Sequence, residues 1–463
     1  MHFIENVLWL LVLIGVMINF HELGHYLAAR YFDVKVEAFS FGFGTRLFGF
    51  RRGETDFRFS AIPFGGYVKM AGETVADLRS AEATTGGHAG DGGTGDGIFD
   101  PLNDPRSFIA KPRWQRLIIL FAGPFMNVVL AVGVLAGMYM VKYQRESDAD
   151  LQANIGHVVP DSPAYKAGIR DGDRIVNLDG KENPTWEDVG LKEVTGAYRV
   201  MNLAILRNGQ RFNTTITPIL SERLGVGYAG WDERAVIQFH RIEPGYPAEK
   251  AGLKEGDLLV AVNGQPIHSG VKFHEITEKS GGNPIQIEYQ RNGENHTVSV
   301  QPIFARLDGQ PRYMIGVAPE QKVTYITTKL SLPAALRESC KQNLDGALFM
   351  GKVLEGMLQR RMSAKNLTGP IGMIQLSGDA AREGPSVFLS LMAMVSLQLA
   401  IFNLLPIPVL DGGSILMLLI EMTMRRDLSI TVKETVFKVG FVCIMMLVLF
   451  VIYNDISRYL PAG

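Results

Sequence analysis

His21-Glu22-Leu23-Gly24-His25 sets two imidazoles four residues apart, one above the other on a single helix face. That separation lets two neutral ring nitrogens share one zinc ion, with the intervening glutamate available as a general base. The motif closes an apolar run, Phe3 to Phe20, whose one charge is Glu5. If a helix enters a bilayer near Phe3, His21 lies about 27 Å along it, within or near a hydrocarbon layer about 30 Å thick. Ionisable groups at that depth are costly and mark function. Backbone carbonyls alone could satisfy two histidines, but they would leave Glu22 unexplained.

A catalytic zinc site has three protein ligands and one open position for water. The expected source of the third is Asn403 to Gly413, NLLPIPVLDGG, after another apolar run. Pro406 and Pro408 remove backbone donors and prevent a continuous helix, while Asp411-Gly412-Gly413 offers a carboxylate on a turn. A broken backbone at membrane depth is tolerated only where it is buried in protein or lines a wet cavity. Asp411 is therefore the expected third ligand. Asn403 could hold substrate backbone or stabilise an oxyanion, or simply cap the broken helix.

The elements that must carry these residues are membrane helices. Uncharged runs at Leu117 to Val141 and Val387 to Leu405, a shorter one at Val439 to Tyr453 and the run from Phe3 predict four transmembrane helices. The leading residues MHFIEN contain no Lys or Arg, which argues against a cleaved signal peptide. Basic residues cluster at Arg30, Lys35 and Arg46, at Lys111, Arg113 and Arg116, and at Arg425, Arg426 and Lys433, so these flanks are expected to be cytoplasmic. Both chain ends and the segment Lys142 to Ser386 then lie outside. With two cysteines, Cys340 and Cys443, no disulfide framework is indicated. A net charge of -1 gives no basis for nucleic-acid binding.

Between the second and third apolar runs the chain repeats itself. Ser162 to Gly180, SPAYKAGIRDGDRIVNLDG, aligns without gaps on Tyr246 to Gly264, YPAEKAGLKEGDLLVAVNG. Each copy reads as a short helix ending at the KAG glycine, a Gly-Asp turn, and a strand closed by Asp-Gly or Asn-Gly. That order resembles PDZ domains, which can take a peptide as an added strand or can stand as folded screens before the membrane helices. Val34 to Met70 alternates as β-hairpin strands around Arg52-Gly53. Gly86 to Gly97 is a linker by composition, and Ser331 to Met362 has the spacing of an amphipathic helix at the membrane surface. His88 in the linker has no partner at a useful spacing.

The HELGH and NLLPIPVLDGG motifs together, with four helices and tandem PDZ-like units between the second and third, resemble the site-2 protease family of intramembrane zinc proteases along nearly the whole chain. GFGT (Gly42 to Thr45), GPFMN (Gly123 to Asn127) and TGPIG (Thr368 to Gly372) add to the resemblance. It implies a polytopic α-helical membrane protein of four transmembrane helices with a membrane-associated β-hairpin region, plus two extracytoplasmic α+β PDZ-like domains. The expected segments are 1–32, 33–75, 76–112, 113–145, 146–225, 226–322, 323–385, 386–424 and 425–463. It also implies zinc on His21, His25 and Asp411, Glu22 as general base, and substrate contacts from Asn403, Pro406, Gly42 and Gly44. The implied substrates are single-span proteins of the bacterial inner membrane, such as anti-sigma factors and signal-peptide remnants. An unwound substrate helix would find new backbone partners on the strands of Val34 to Met70. The rival reading is a zinc-binding membrane scaffold or transporter assembled through the PDZ-like pair. The repeated part lies outside the membrane region, which counts against transport.

Overall fold

The computed structural model describes residues 2–73, 104–147, 152–222, 224–306, 311–364 and 368–459. His88 and most of the expected 76–112 linker lie outside the described residues. The chain divides into two compact units, one made of 1–143, 329–350 and 367–460, the other of 144–328 and 351–366.

In the first unit, α1 (His2–Tyr31) is followed by β1 (Val36–Arg52), β2 (Thr55–Met70) and α2 (Arg113–Val141). Further along come α3 (Leu332–Leu358), which runs on into the second unit, α4 (Pro370–Glu383), α5 (Pro385–Asn403), α6 (Asp411–Met424) and α7 (Ile430–Tyr459). Four of them, α1, α2, α5 and α7, are long and apolar enough to cross a membrane. Outward-facing Val439, Phe441, Val442, Met446 and Leu449 on α7 suit lipid rather than water. Inward, Leu10, Leu13 and Met17 of α1 pack with Leu130, Ala380, Phe388 and Met392. α1 and α2 meet backbone to backbone, since a Cβ on Gly24 would lie 2.1 Å from the Ala122 carbonyl oxygen. A glycine between the two histidines is thus what lets the second helix reach the motif.

Asp455 of α7 explains the TGPIG motif. Its carboxylate accepts from the amides of Gly369, Ile371 and Gly372 at 3.0, 3.0 and 3.3 Å, at the start of α4. Pro370 at the first helical turn has no amide to satisfy, and a Cβ on Gly369 would strike the carboxylate at 2.3 Å. A second anchor is the ion pair Lys433–Glu421 at 2.7 Å, with Glu421 buried.

β1 and β2 bend so that each is used more than once. Residues 36–41 pair with 66–70, residues 38–41 also face 56–59, and 46–52 pair with 55–60. Gly42 (φ 88°) makes the bend possible, for a Cβ there would lie 2.6 Å from the Ile62 carbonyl oxygen. Exposed Phe43, Leu47, Phe48 and Phe50 make the far end of this sheet apolar.

The second unit contains the duplication. Each copy has a one-turn helix, Pro163–Lys166 or Pro247–Lys250, then a strand, Arg174–Leu178 or Leu258–Val262, closed by Asp179-Gly180 or Asn263-Gly264 with positive φ at both positions. The repeated aspartates have a repeated partner. Arg207 holds buried Asp173 through two bonds of 2.6 and 2.7 Å, and Arg291 holds buried Asp257 through two of 2.7 Å. The first copy extends beyond the expected boundary at 225, because Trp231–Glu233 pairs with Ile155–Val158 and Ala229 accepts from the Ala164 amide. A three-residue strand has too little pattern to be seen in sequence. His157 joins the copies, with Nδ1 3.3 Å from Asp171 and Nε2 2.8 Å from Glu275 on the helix Gly270–Lys279.

Candidate metal centre

α1 delivers both imidazoles of the motif to one point. His21 Nε2 and His25 Nε2 are 3.1 Å apart, and Asp411 Oδ2 lies 3.1 Å from the first and 3.6 Å from the second. Both histidines are buried. Among the described residues this is the one cluster with the donor set and spacing of a metal site.

Two observations test whether zinc fits. Tetrahedral bonds of 2.0 to 2.1 Å separate ligand atoms by about 3.3 Å, close to the spacing present. Room beside the ligands is also kept open, since a Cβ on Gly123 of α2 would lie 2.2 Å from His25 Nε2 and 2.8 Å from His21 Nε2. Asp411 Oδ2 itself is buried without a hydrogen-bond partner. Lone pairs converging without a donor between them are what a cation satisfies. The residues fit zinc.

Asp411 is the first residue of α6, reached through the break 404–410. The turn needs glycine next: a Cβ on Gly412 would meet the Leu404 carbonyl oxygen at 2.4 Å, and one on Gly413 the Ile407 oxygen at 2.3 Å. Val409 adopts φ 86°, a left-handed conformation that is costly for a β-branched side chain. Asp411 also borders a cavity of about 440 Å³ lined by Glu73, Arg116, Glu421, Lys433 and Phe437 among others.

Glu22 turns towards β2, where Gly66 lies beside its Cγ and leaves room for it. Asn403 ends α5 and Pro406 lies in the break, while Gly42 and Gly44 lie in β1, both with positive φ. No described contact joins any of these four to the three clustered ligands.

Sequence reasoning about the site missed a stripe on α2. Ile119, Gly123 and Asn127 are spaced by four residues and all face the histidines: the Ile119 carbonyl lies 2.8 Å from His25 Nδ1, and Asn127 Nδ2 lies 3.2 Å from His21 Nδ1. The glycine and asparagine of GPFMN were the available signal.

A His-His-Asp cluster with an adjacent glutamate, its two histidines on a helix long and apolar enough to cross a membrane, has the donor set of a membrane zinc metalloprotease. The chain belongs to Peptidase family M50, which it matches over residues 9–447. It is 31% identical to a protein of Xylella fastidiosa that carries a zinc metalloprotease name, over 98% of this chain and 99% of the other. It is 28% identical to the regulator of sigma-E protease RseP of Escherichia coli, over 97% of each chain. A PDZ domain from Listeria monocytogenes is 19% identical over 19% of this chain and 90% of its own, with a TM-score of 0.17.

Proposed function

We propose that this chain is an endopeptidase of the bacterial inner membrane that cuts transmembrane segments of single-span proteins, with His21, His25 and Asp411 as zinc ligands and Glu22 as general base. The observation that carries this reading is the convergence of three ligand atoms on one buried point of a membrane-length helix that also bears Glu22. Bound zinc supplies Lewis acidity, making water acidic enough to lose a proton near neutral pH and polarising the scissile carbonyl. Glu22 accepts the proton of the attacking water while the new C–O bond forms. It then delivers that proton to the amide nitrogen as the C–N bond breaks.

A transmembrane substrate must unwind before it can be cut, and its freed amides and carbonyls need partners. The segments of β1 and β2 beside Glu22 supply a sheet edge for an added strand, and Gly42, Gly44, Asn403 and Pro406 are the residues assigned to substrate contact. In this reading the PDZ-like pair and both termini face the periplasm, and the pair either binds peptides or screens large proteins from the site. In this reading the substrate is an anti-sigma factor or a signal-peptide remnant, and the relatives named regulator of sigma-E protease support a part in stress signalling.

The test compares the purified protein with Glu22→Gln for zinc content and for cleavage of a tagged single-span substrate. Equal zinc with cleavage slowed by roughly 10²-fold or more is expected from loss of a general base. Equal cleavage by both proteins would remove Glu22 from that role.

A further inference from the structure

A histidine that gives Nε2 to a metal carries its proton on Nδ1, and that proton needs an acceptor to fix tautomer and ring plane. His25 has one, the Ile119 carbonyl oxygen at 2.8 Å. His21 faces Asn127, which is fully buried. In the orientation present, the Asn127 amide nitrogen lies 3.2 Å from His21 Nδ1, while Asn127 Oδ1 is buried and has no hydrogen-bond partner. With His21 ligating through Nε2, this sets a donor against a donor and leaves an acceptor orphaned on the same side chain. A half-turn of the amide exchanges its oxygen and nitrogen without changing its shape and removes the donor conflict.

We propose that Asn127 is the positioning residue of His21: its Oδ1 accepts the Nδ1–H when metal is bound, aiming the Nε2 lone pair at the ion. The inference rests on His21 being a ligand. α2 thereby supplies the outer partners of both histidines, the Ile119 carbonyl for one and the Asn127 amide for the other, with the bare face of Gly123 between them. The helix is held where this matters, since Ser396 of α5 donates to the Asn127 carbonyl at 2.9 Å.

The test uses the full chain in detergent and measures zinc affinity by competition with a chromophoric chelator, alongside the visible spectrum of the cobalt-loaded protein. Asn127→Leu keeps the bulk but removes the acceptor, and its zinc affinity is expected to fall about 10- to 100-fold, with a shifted cobalt band. Asn127→Asp keeps an acceptor at the same place. It should bind zinc about as tightly as the parent or tighter, with the parent's cobalt spectrum, since carboxylate partners raise ligand basicity. Parental affinity in Asn127→Leu would overturn the proposal, as would an Asn127→Asp variant in which zinc affinity collapses; the aspartate arm decides the matter if the leucine variant does not fold. His21→Ala separates the two levels. Zinc binding that survives His21→Ala removes the ligand assignment itself, whereas loss there with parental binding in both Asn127 variants removes only the present inference.

Discussion

Gly123 and His25 are so close that a methyl group on the glycine would lie 2.2 Å from the Nε2 that faces the other ligands. Alanine is the better helix former by about 1 kcal/mol, so Gly123→Ala should leave α2 intact or firmer. Zinc binding should nevertheless weaken at least ~10-fold, because the new methyl occupies the ligand side of the imidazoles. Equilibrium dialysis with zinc, together with circular dichroism for helix content, checks both halves. Undiminished zinc would mean that the ion sits elsewhere.

Val409 lies two residues before Asp411 with a φ that suits glycine. Relieving that strain by Val409→Gly should raise stability by about 1 kcal/mol, less whatever the glycine adds to unfolded-chain freedom. The freer turn should also hold Asp411 less firmly. The expected signature is a higher Tm of the zinc-free protein together with weaker zinc binding, and movement of both in the same direction would contradict it.

Asp257 is buried against Arg291. Arg291→Met leaves that carboxylate without its countercharge and should cost about 3 kcal/mol of local stability. Limited proteolysis should then cut within 236–322 sooner than within the first copy, and Arg207→Met should reverse the order through Asp173. Adding Asp257→Asn to Arg291→Met should recover part of the loss.

His157 gives the tandem a pH dependence. Burial pulls its pKa down, but the hydrogen bonds with Asp171 and Glu275 outweigh that and raise it above its usual 6.5. Asp171 is opposed by burial yet brought down to about 2 by His157, the Val158 amide and Lys272, so it stays ionised throughout. A raised folded-state pKa means that stability is fully present below pH 6.5 and is lost as pH rises through the raised value. Hydrogen-exchange protection, taken relative to the intrinsic rate at each pH, should therefore fall at 155–158 and 270–279 as pH rises above about 6.5, and His157→Gln should flatten the trend. An unchanged slope in that variant would assign the effect to other groups.

The parts of the molecule legible beforehand were those specified by neighbours in sequence. Two histidines one helical turn apart, a carboxylate after a proline break, and the Asp-Gly and Asn-Gly turns of the duplication each carry their geometry in a few consecutive residues. What escaped depends on distant partners. Asn127 matters because α2 crosses α1 at Gly24, and Asp455 matters because it reaches the start of α4. The divergence of the two copies was equally hidden. At equivalent positions, Glu193 accepts from the Ala229 amide and Trp231 Nε1, with burial pushing its carboxyl up to about 7, whereas the Thr277 hydroxyl donates to the Phe273 carbonyl of its own helix. An alignment of turns does not reveal which copy buries a carboxylate at this position.

The break ahead of Asp411 has a consequence for how such a molecule is made. Two imidazoles and the helix that cradles them come from the early part of the polypeptide, but the last ligand arrives only after several hundred further residues have been synthesised. Under the proposed ligand assignment, a chain synthesised only as far as the break holds an incomplete set of ligands and has no means of attacking its neighbours. On that assignment, hydrolysis waits until the late helices have docked.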